Sequence, residues 1–294
     1  MKIAIYGQFY QNSTEPIIRD IFQFFTQKKV EMVVERDFLE LLNEKHIVHE
    51  SFATFQSHTD LDASFDMLLS IGGDGTILRA ITLVRDSGIP VLGINAGRLG
   101  FLASVQKENI TDFLQLVIDK KYHISKRSLL SLTCNPSNAS IDSLNFAMNE
   151  ISVSRKDTTS MITIETHLND EYLNSYWADG LIIATPTGST GYSMSCGGPI
   201  LTPEVTSLVI TPIAPHNLNA RPLVIPDNTR IKLKVSGRED NYLVSLDSRI
   251  ASVPNAAELT IEKTAFQINM VEIPHETFLK TLRNKLMWGE DKRN

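Results

Sequence analysis

Up to about residue 122, short continuous apolar runs alternate with stretches in which apolar side chains recur every three or four positions. Residues 2–6, 31–35, 67–71 and 90–94 have the brevity of strands buried on both faces. Between them, Ile17, Ile18, Ile21, Phe22 and Phe25 keep helical spacing, with Ser13 or Thr14 as cap and Pro16 in the first turn. Residues 38–45, 76–86 and 107–121 also read as helices, whereas 46–66 is poorly patterned and predicts a variable segment without regular structure. Strand, helix, strand in this rhythm predicts a parallel sheet of Rossmann-like type, with its ligand site at the carboxyl ends of the strands.

Beyond residue 122 the helical period fades. Runs at 129–134, 146–153, 161–168, 171–176, 181–185, 208–212, 231–235, 242–246, 259–261 and 267–272 are β-rich, and Asn169-Asp170 is a hairpin signal. The helical period returns only at 275–288, through Phe278, Leu279, Leu282 and Leu286. The expected organisation is an α/β domain over 1–122, an all-β domain over 123–273, and a helix over 274–294 that returns to the first domain, because a lone helix cannot bury its own apolar face.

The most informative stretch is Ile71-Gly72-Gly73-Asp74-Gly75-Thr76, between a buried strand and a helix. Its glycines let a bulky ligand approach the backbone, and the unpaired N–H groups at the helix start favour an anion. An acid in such a loop repels phosphate unless it has another task, such as accepting a proton from a hydroxyl that is being phosphorylated. The plainer alternative is a turn whose Asp caps the helix. Asn95-Ala96-Gly97-Arg98-Leu99-Gly100-Phe101 lies at the same sheet edge. As connecting turn alone it would need neither Asn nor Arg.

Three stretches of the β region carry more polar chemistry than strands require. Asn149 and Glu150 interrupt an apolar run, and as strand neighbours they would point to opposite faces unless a bulge intervenes. Asp179-Gly180 opens another run. Residues 185–195, Thr-Pro-Thr-Gly-Ser-Thr-Gly-Tyr-Ser-Met-Ser, offer hydroxyls and N–H groups to phosphate or ribose and Tyr192 to a base, unless the stretch is a polar surface loop.

Composition narrows the classes. With 294 residues, 42% of them hydrophobic, two ordinary cores are affordable; a net charge of −6 gives no general attraction to nucleic acid or acidic membrane surfaces. Cys134 and Cys196 are too few for a disulfide framework or a zinc cluster, and no run approaches a membrane span or a signal sequence. A cytoplasmic protein acting on small molecules is expected. An ordinary dehydrogenase is disfavoured, because only Gly7 follows the first strand where a Gly-x-Gly-x-x-Gly would stand.

Gly72-Gly73-Asp74-Gly75-Thr76, Asn95-x-Gly97-x-Leu99-Gly100-Phe101, Asn149-Glu150, Asp179-Gly180 and Thr185-Pro186-Thr187-Gly188-Ser189-Thr190-Gly191-Tyr192, in that order, resemble the bacterial NAD kinases. The likeness runs from Lys2 to Trp288 and takes in Pro215-His216 and Ala220-Arg221-Pro222-Leu223. The first motif alone is shared with lipid kinases and phosphofructokinases. The resemblance implies ATP-dependent phosphorylation of the 2′-hydroxyl of the adenosine ribose of NAD, giving NADP, in a homodimer or homotetramer, with magnesium or another divalent cation carried in by ATP and no metal ligand from the protein. It implies Asp74 as proton acceptor, with Gly75 beside it and Arg79 contacting substrate. Asn149 and Glu150 would hold the ribose and nicotinamide side, and Asp179 a polar edge. Thr190, Gly191, Tyr192, Ser193, Met194 and Ser195 would line the adenine end, closed by Ala214. Gly191 stands where alanine is common, Trp177 where arginine is frequent and Arg249, a further candidate for NAD, where Gln or His is frequent. Two other classes share parts of the pattern: a diacylglycerol or sphingoid kinase with the same glycine loop, and a dinucleotide sensor without catalysis.

Overall fold

The computed structural model describes residues 1–8, 14–48, 50–95, 100–103, 110–157, 160–274 and 276–289. Two compact units divide the chain, one of Met1–Lys126 with Ile268–Asn294 and one of Arg127–Gln267.

The first unit is α/β. Its elements are β1 (Lys2–Gly7), α1 (Glu15–Gln27), β2 (Glu31–Glu35), α2 (Arg36–Glu44), β3 (Ala53–Phe55), β4 (Met67–Gly72), α3 (Asp74–Val84), β5 (Val91–Asn95) and α4 (Ile110–Ile118). The strands pair in parallel in the order β3-β2-β1-β4-β5. Every residue of β4 and β5 is buried, which accounts for their uninterrupted apolar reading. Ile17, Ile18, Ile21 and Phe25 of α1 share a core with Ile3, Ile5, Leu69 and Leu92.

Several expected boundaries shift for identifiable reasons. Thr14 stands at the N-cap of α1, but its side chain does not cap the helix, and Ser13 lies outside the described residues. The start of α2 is set by Glu35, whose carboxylate accepts the Phe38 N–H at 2.9 Å; a glutamate is a weak cap signal in sequence. The segment expected to lack structure contains β3, too short for its alternation to register, and a turn of 3₁₀ helix at His58–Asp60 closed by a capping box with Ser57. Positions 107–109 of the expected fourth helix lie outside the described residues.

The second unit is antiparallel. Strands β6 (His123–Asn135), β7 (Phe146–Ala147), β8 (Glu150–Ser154), β9 (Ile162–Leu168), β10 (Glu171–Ala178), β11 (Gly180–Ala184), β12 (Ser207–Ile213), β13 (Leu223–Pro226), β14 (Ile231–Ser236), β15 (Asn241–Leu246), β16 (Arg249–Pro254) and β17 (Glu258–Glu272) are joined by two short helices, α5 (Ala139–Asp142) and α6 (Tyr192–Ser195). One layer runs β13-β12-β11-β8-β15-β16 and another contains β10-β9-β14-β17. Leu181, Ile183, Ile151 and Val153 of the first layer meet Ile164, Leu233, Val235 and Leu259 of the second in one core. The intervening Ile182 and Ala184 pack on the opposite face with Val209, Cys196 and Leu201, as the period of two requires. Asn169 and Asp170 both take positive φ, 50° and 70°, and join β9 to β10 as a tight hairpin.

Two expected runs, 259–261 and 267–272, are one strand. The beginning of β17 pairs antiparallel with β14, while Met270 pairs in parallel with Val91 of β5 and Val271 and Ile273 enter the first unit's core. The last helix, α7 (Phe278–Leu286), belongs to the first unit and places Lys285 over the Phe101 ring. His275 lies outside the described residues.

Candidate active site

In the first unit the candidate chemistry gathers where β4 turns into α3. Gly73 occupies the N-cap and Asp74 the first helical position, two residues earlier than the pattern suggested. The carboxylate of Asp74 does not cap its own helix. It accepts three N–H groups from the chain after β5: Phe101 to Oδ2 at 2.8 Å, and Leu102 and Ala103 to Oδ1 at 3.0 and 3.3 Å. Gly100 makes this approach possible, since a Cβ there would lie 1.9 Å from Oδ1. Both oxygens are thereby fixed, and Oδ2, with one amide donor, keeps a lone pair for another. Among the described residues, a Cβ at Gly73 or Gly75 would meet nothing within 4 Å, so no packing there demands glycine at either position. Arg79 is exposed one turn along α3 and lines an open cleft of ≈ 530 Å³ with Gly7, Gln8, Glu35, Asp37 and Thr82. Asn95 is buried at the end of β5, and Arg98 lies outside the described residues.

In the second unit the strand expected over 146–153 breaks at Met148-Asn149, between β7 and β8. The N–H groups of Met148, Asn149 and Glu150 all donate to the carboxylate of Asp247, at 3.0, 2.8 and 3.2 Å. This bend lets neighbouring side chains reach one place: a Cβ at Gly191 would stand 3.0 Å from Glu150 Oε2 and 3.7 Å from Asn149 Nδ2. Asn149 Oδ1 and Glu150 Oε2 are buried and have no hydrogen-bond partner among the described residues. Unpaired buried acceptors are costly and mark a place where a ligand supplies the missing donors.

The 185–195 stretch is not an open polar loop. Thr187–Thr190 forms a 3₁₀ turn leading into α6, and most of its hydroxyls serve the fold. Thr185 Oγ1 donates to Met148 O and accepts from Gly188 N, Ser189 Oγ bonds Pro186 O, and Thr190 Oγ1 bonds Thr187 O. Ser193 Oγ is 2.8 Å from Thr211 Oγ1, buried with it. The hydroxyls of Thr190 and Ser193 thus each have one partner within the chain. Tyr192 and Ser195 are exposed, and Met194 is half-buried.

Asp179 is half-buried and ion-paired with Arg155 at 3.0 Å. Ala214, with φ 42°, sits in the turn after β12; its neighbour Ile213 accepts the Asp179 N–H, and His216 N–H donates to Trp177 O with the two rings 4.3 Å apart. Arg249 is half-buried, its guanidinium donating to the carbonyls of Leu144 and Phe146 and lying over the Phe146 ring. These contacts brace its own unit.

Two family models match the chain, the ATP-NAD kinase N-terminal domain over residues 3–122 and the ATP-NAD kinase C-terminal domain over 148–273. It is 74% identical to an NAD kinase of Flavobacterium psychrophilum and 41% identical to one of Bacteroides fragilis, each compared over the full length of both chains. The chain belongs to the ATP-NAD kinase family. Among solved structures, a yeast NADH kinase complexed with NADH shares the fold at TM-score 0.89 and 24% identity, covering 99% of this chain and 89% of that one. An NAD kinase from Archaeoglobus fulgidus in complex with ATP matches at TM-score 0.74 and 26% identity, over 98% and 99%. As an ATP-NAD kinase, the chain phosphorylates NAD with ATP.

Two features of these candidate regions escape a reading of motifs. The amides of Phe101, Leu102 and Ala103 carry no side-chain signal. Asp247 lies almost a hundred residues from the bend it holds, and its only mark is a turn residue between apolar runs.

Burial pushes Glu150 up to about 8, the neighbouring Asp247 charge adds to this, and the Tyr192 N–H that it accepts opposes it. Burial also raises Asp247, against its three N–H donors and Arg249. With three donors holding the charge on Asp247 and one on Glu150, the proton resides on Glu150. The folded chain thus keeps a proton that the unfolded chain releases near 4.5, so stability falls as pH rises from about 4.5 to about 8 and then levels. Glu150→Gln removes that dependence. Its stability should gain on that of the parent across this window, by on the order of 4 kcal/mol at pH 8, seen as a growing gap between melting temperatures. Parallel melting curves with a constant gap from pH 5 to 8 would refute the assignment.

Proposed function

We propose that the chain transfers the γ-phosphoryl group of ATP to the 2′-hydroxyl of the adenosine ribose of NAD, giving NADP and ADP, with Asp74 as proton acceptor. The observation that carries this reading is the Asp74 carboxylate, held by three amides at a glycine loop whose Gly73 and Gly75 leave open space. Phosphoryl transfer asks mainly for alignment and charge stabilisation. The bond from the γ-phosphorus to the β-bridging oxygen breaks, the bond to O2′ forms, and the hydroxyl proton passes to Asp74 Oδ2 late, as that oxygen becomes acidic.

Recognition of NAD is assigned to the second unit. Asn149 and Glu150 offer unpaired acceptors to ribose hydroxyls, and Tyr192 presents an exposed ring for a base. Asp179, fixed by Arg155, takes a polar edge, and Gly191, Met194, Ser195 and Ala214 line the remainder. Arg79 and the N–H groups at the start of α3 suit phosphate. A divalent cation, magnesium for preference, would arrive as part of the ATP substrate. The archaeal relative's complex with ATP supports ATP as donor. No helix among the described residues is long and apolar enough to cross a membrane. We place the protein in the cytoplasm, as a homodimer or homotetramer.

Incubation of the purified protein with ATP, magnesium and NAD, followed by enzymatic detection of NADP, is expected to give stoichiometric NADP and ADP. Phosphorylation of diacylglycerol in place of NAD would return the glycine loop to a lipid kinase. NAD binding without turnover would make the chain a sensor.

A further inference from the structure

Asp247 lies in the turn between β15 and β16, with φ 53°, and its carboxylate receives three consecutive N–H groups of another segment. Its own N–H donates to Glu150 O at 3.0 Å, which closes the contact from both sides. We propose that Asp247 is a positioning residue for NAD, which bends the chain at Met148-Asn149 so that the side chains of Asn149 and Glu150 meet in the space over Gly191. The proposal rests on the reading that this pair holds NAD.

Without that bend, β7 and β8 would be one strand, and adjacent residues would face opposite sides of the sheet. Three amides converging on one carboxylate hold the bend in place of ladder hydrogen bonds. The same charge has a second effect. Standing beside Glu150 with its own negative charge secured, Asp247 opposes ionisation of Glu150. The pair over Gly191 then offers two donors, Asn149 Nδ2–H and the Glu150 acid proton, together with the acceptors Asn149 Oδ1 and a Glu150 oxygen. That set matches a ribose diol, in which each hydroxyl both donates and accepts. The other titratable or charged groups bearing on the pair are Arg249, which supports the Asp247 charge, and Tyr192 of α6, whose phenol burial pushes up and on which Asp179 and Glu150 act.

The test is calorimetric titration of the full chain with NAD, without ATP, between pH 6.5 and 9.5. Parent protein should bind evenly up to about pH 8 and then lose about tenfold in affinity per pH unit. Asp247→Asn should bind about tenfold more weakly at pH 7, with its inflection displaced to lower pH, because the charge opposing ionisation is gone. Glu150→Gln should show no inflection. A purely structural Asp247 would weaken binding without displacing the inflection, and that result overturns the proposal, as does an Asp247→Asn chain that titrates like the parent. If circular dichroism shows Asp247→Asn unfolded, Glu150→Gln decides: an inflection that persists in it, or is missing from the parent, is equally fatal. Undiminished NAD binding by Glu150→Ala at pH 7 would instead remove the underlying reading that Asn149 and Glu150 hold NAD.

Discussion

Asp74→Asn is expected to lower kcat roughly 10²- to 10⁴-fold while leaving the KM for NAD within about threefold. The amide keeps one oxygen for the N–H groups of Leu102 and Ala103, and loses the lone pair that takes the hydroxyl proton. Its Nδ2 group faces the Phe101 N–H, donor against donor, at the place where Oδ2 now accepts at 2.8 Å. A loss of about 1–3 kcal/mol in stability is therefore expected as well. Melting curves at the assay temperature separate the two effects, because a folded variant with intact NAD binding and lost turnover isolates the chemical step. Turnover near that of the parent would take Asp74 out of the reaction.

Gly188→Ala should be the most damaging small substitution in the second unit. A Cβ at residue 188 would lie 2.0 Å from Asn149 O, 2.3 Å from its carbonyl carbon and 2.7 Å from its Cα. That backbone cannot easily withdraw. Asn149 N is bound to Asp247 at 2.8 Å and Asn149 O accepts Thr185 N at 2.9 Å. A methyl group must therefore displace either the 185–191 turn or the Asn149 bend, at a cost of about 3 kcal/mol or more. We expect a fall in melting temperature together with at least a tenfold loss of NAD affinity, measured by calorimetry on the fraction that remains folded. A chain that melts and binds like the parent would mean that the two segments are not held in register.

How far each element could be read depended on how local its cause is. The turn from β4 to α3 was legible because six buried residues, the glycines and a helical period follow in direct succession. The β9–β10 hairpin was legible from Asn169-Asp170, the residue types that accept two positive φ angles. By contrast, β16 presents Ile250 outward, 67% exposed, so its apolar residues fall out of step with its buried face. Prolines bracket β13 at 222 and 226, and Glu262-Lys263-Thr264 divide β17 into two apparent runs. Residue types marked Asp74, Asn149 and Glu150 as candidates. What holds them did not show, because the amides after Gly100 and the Asp247 carboxylate act across long stretches of chain. Nor did the string show that the hydroxyls of Thr190 and Ser193 find internal partners once the turn has folded.

The path of β17 has a consequence for biogenesis. The first unit's sheet lacks its neighbour to β5, and its interior lacks Val271 and Ile273, until the ribosome has translated past both units. An N-terminal α/β segment emerging first would wait with an open flank through the whole synthesis of the β segment, and the closing strand arrives only afterwards.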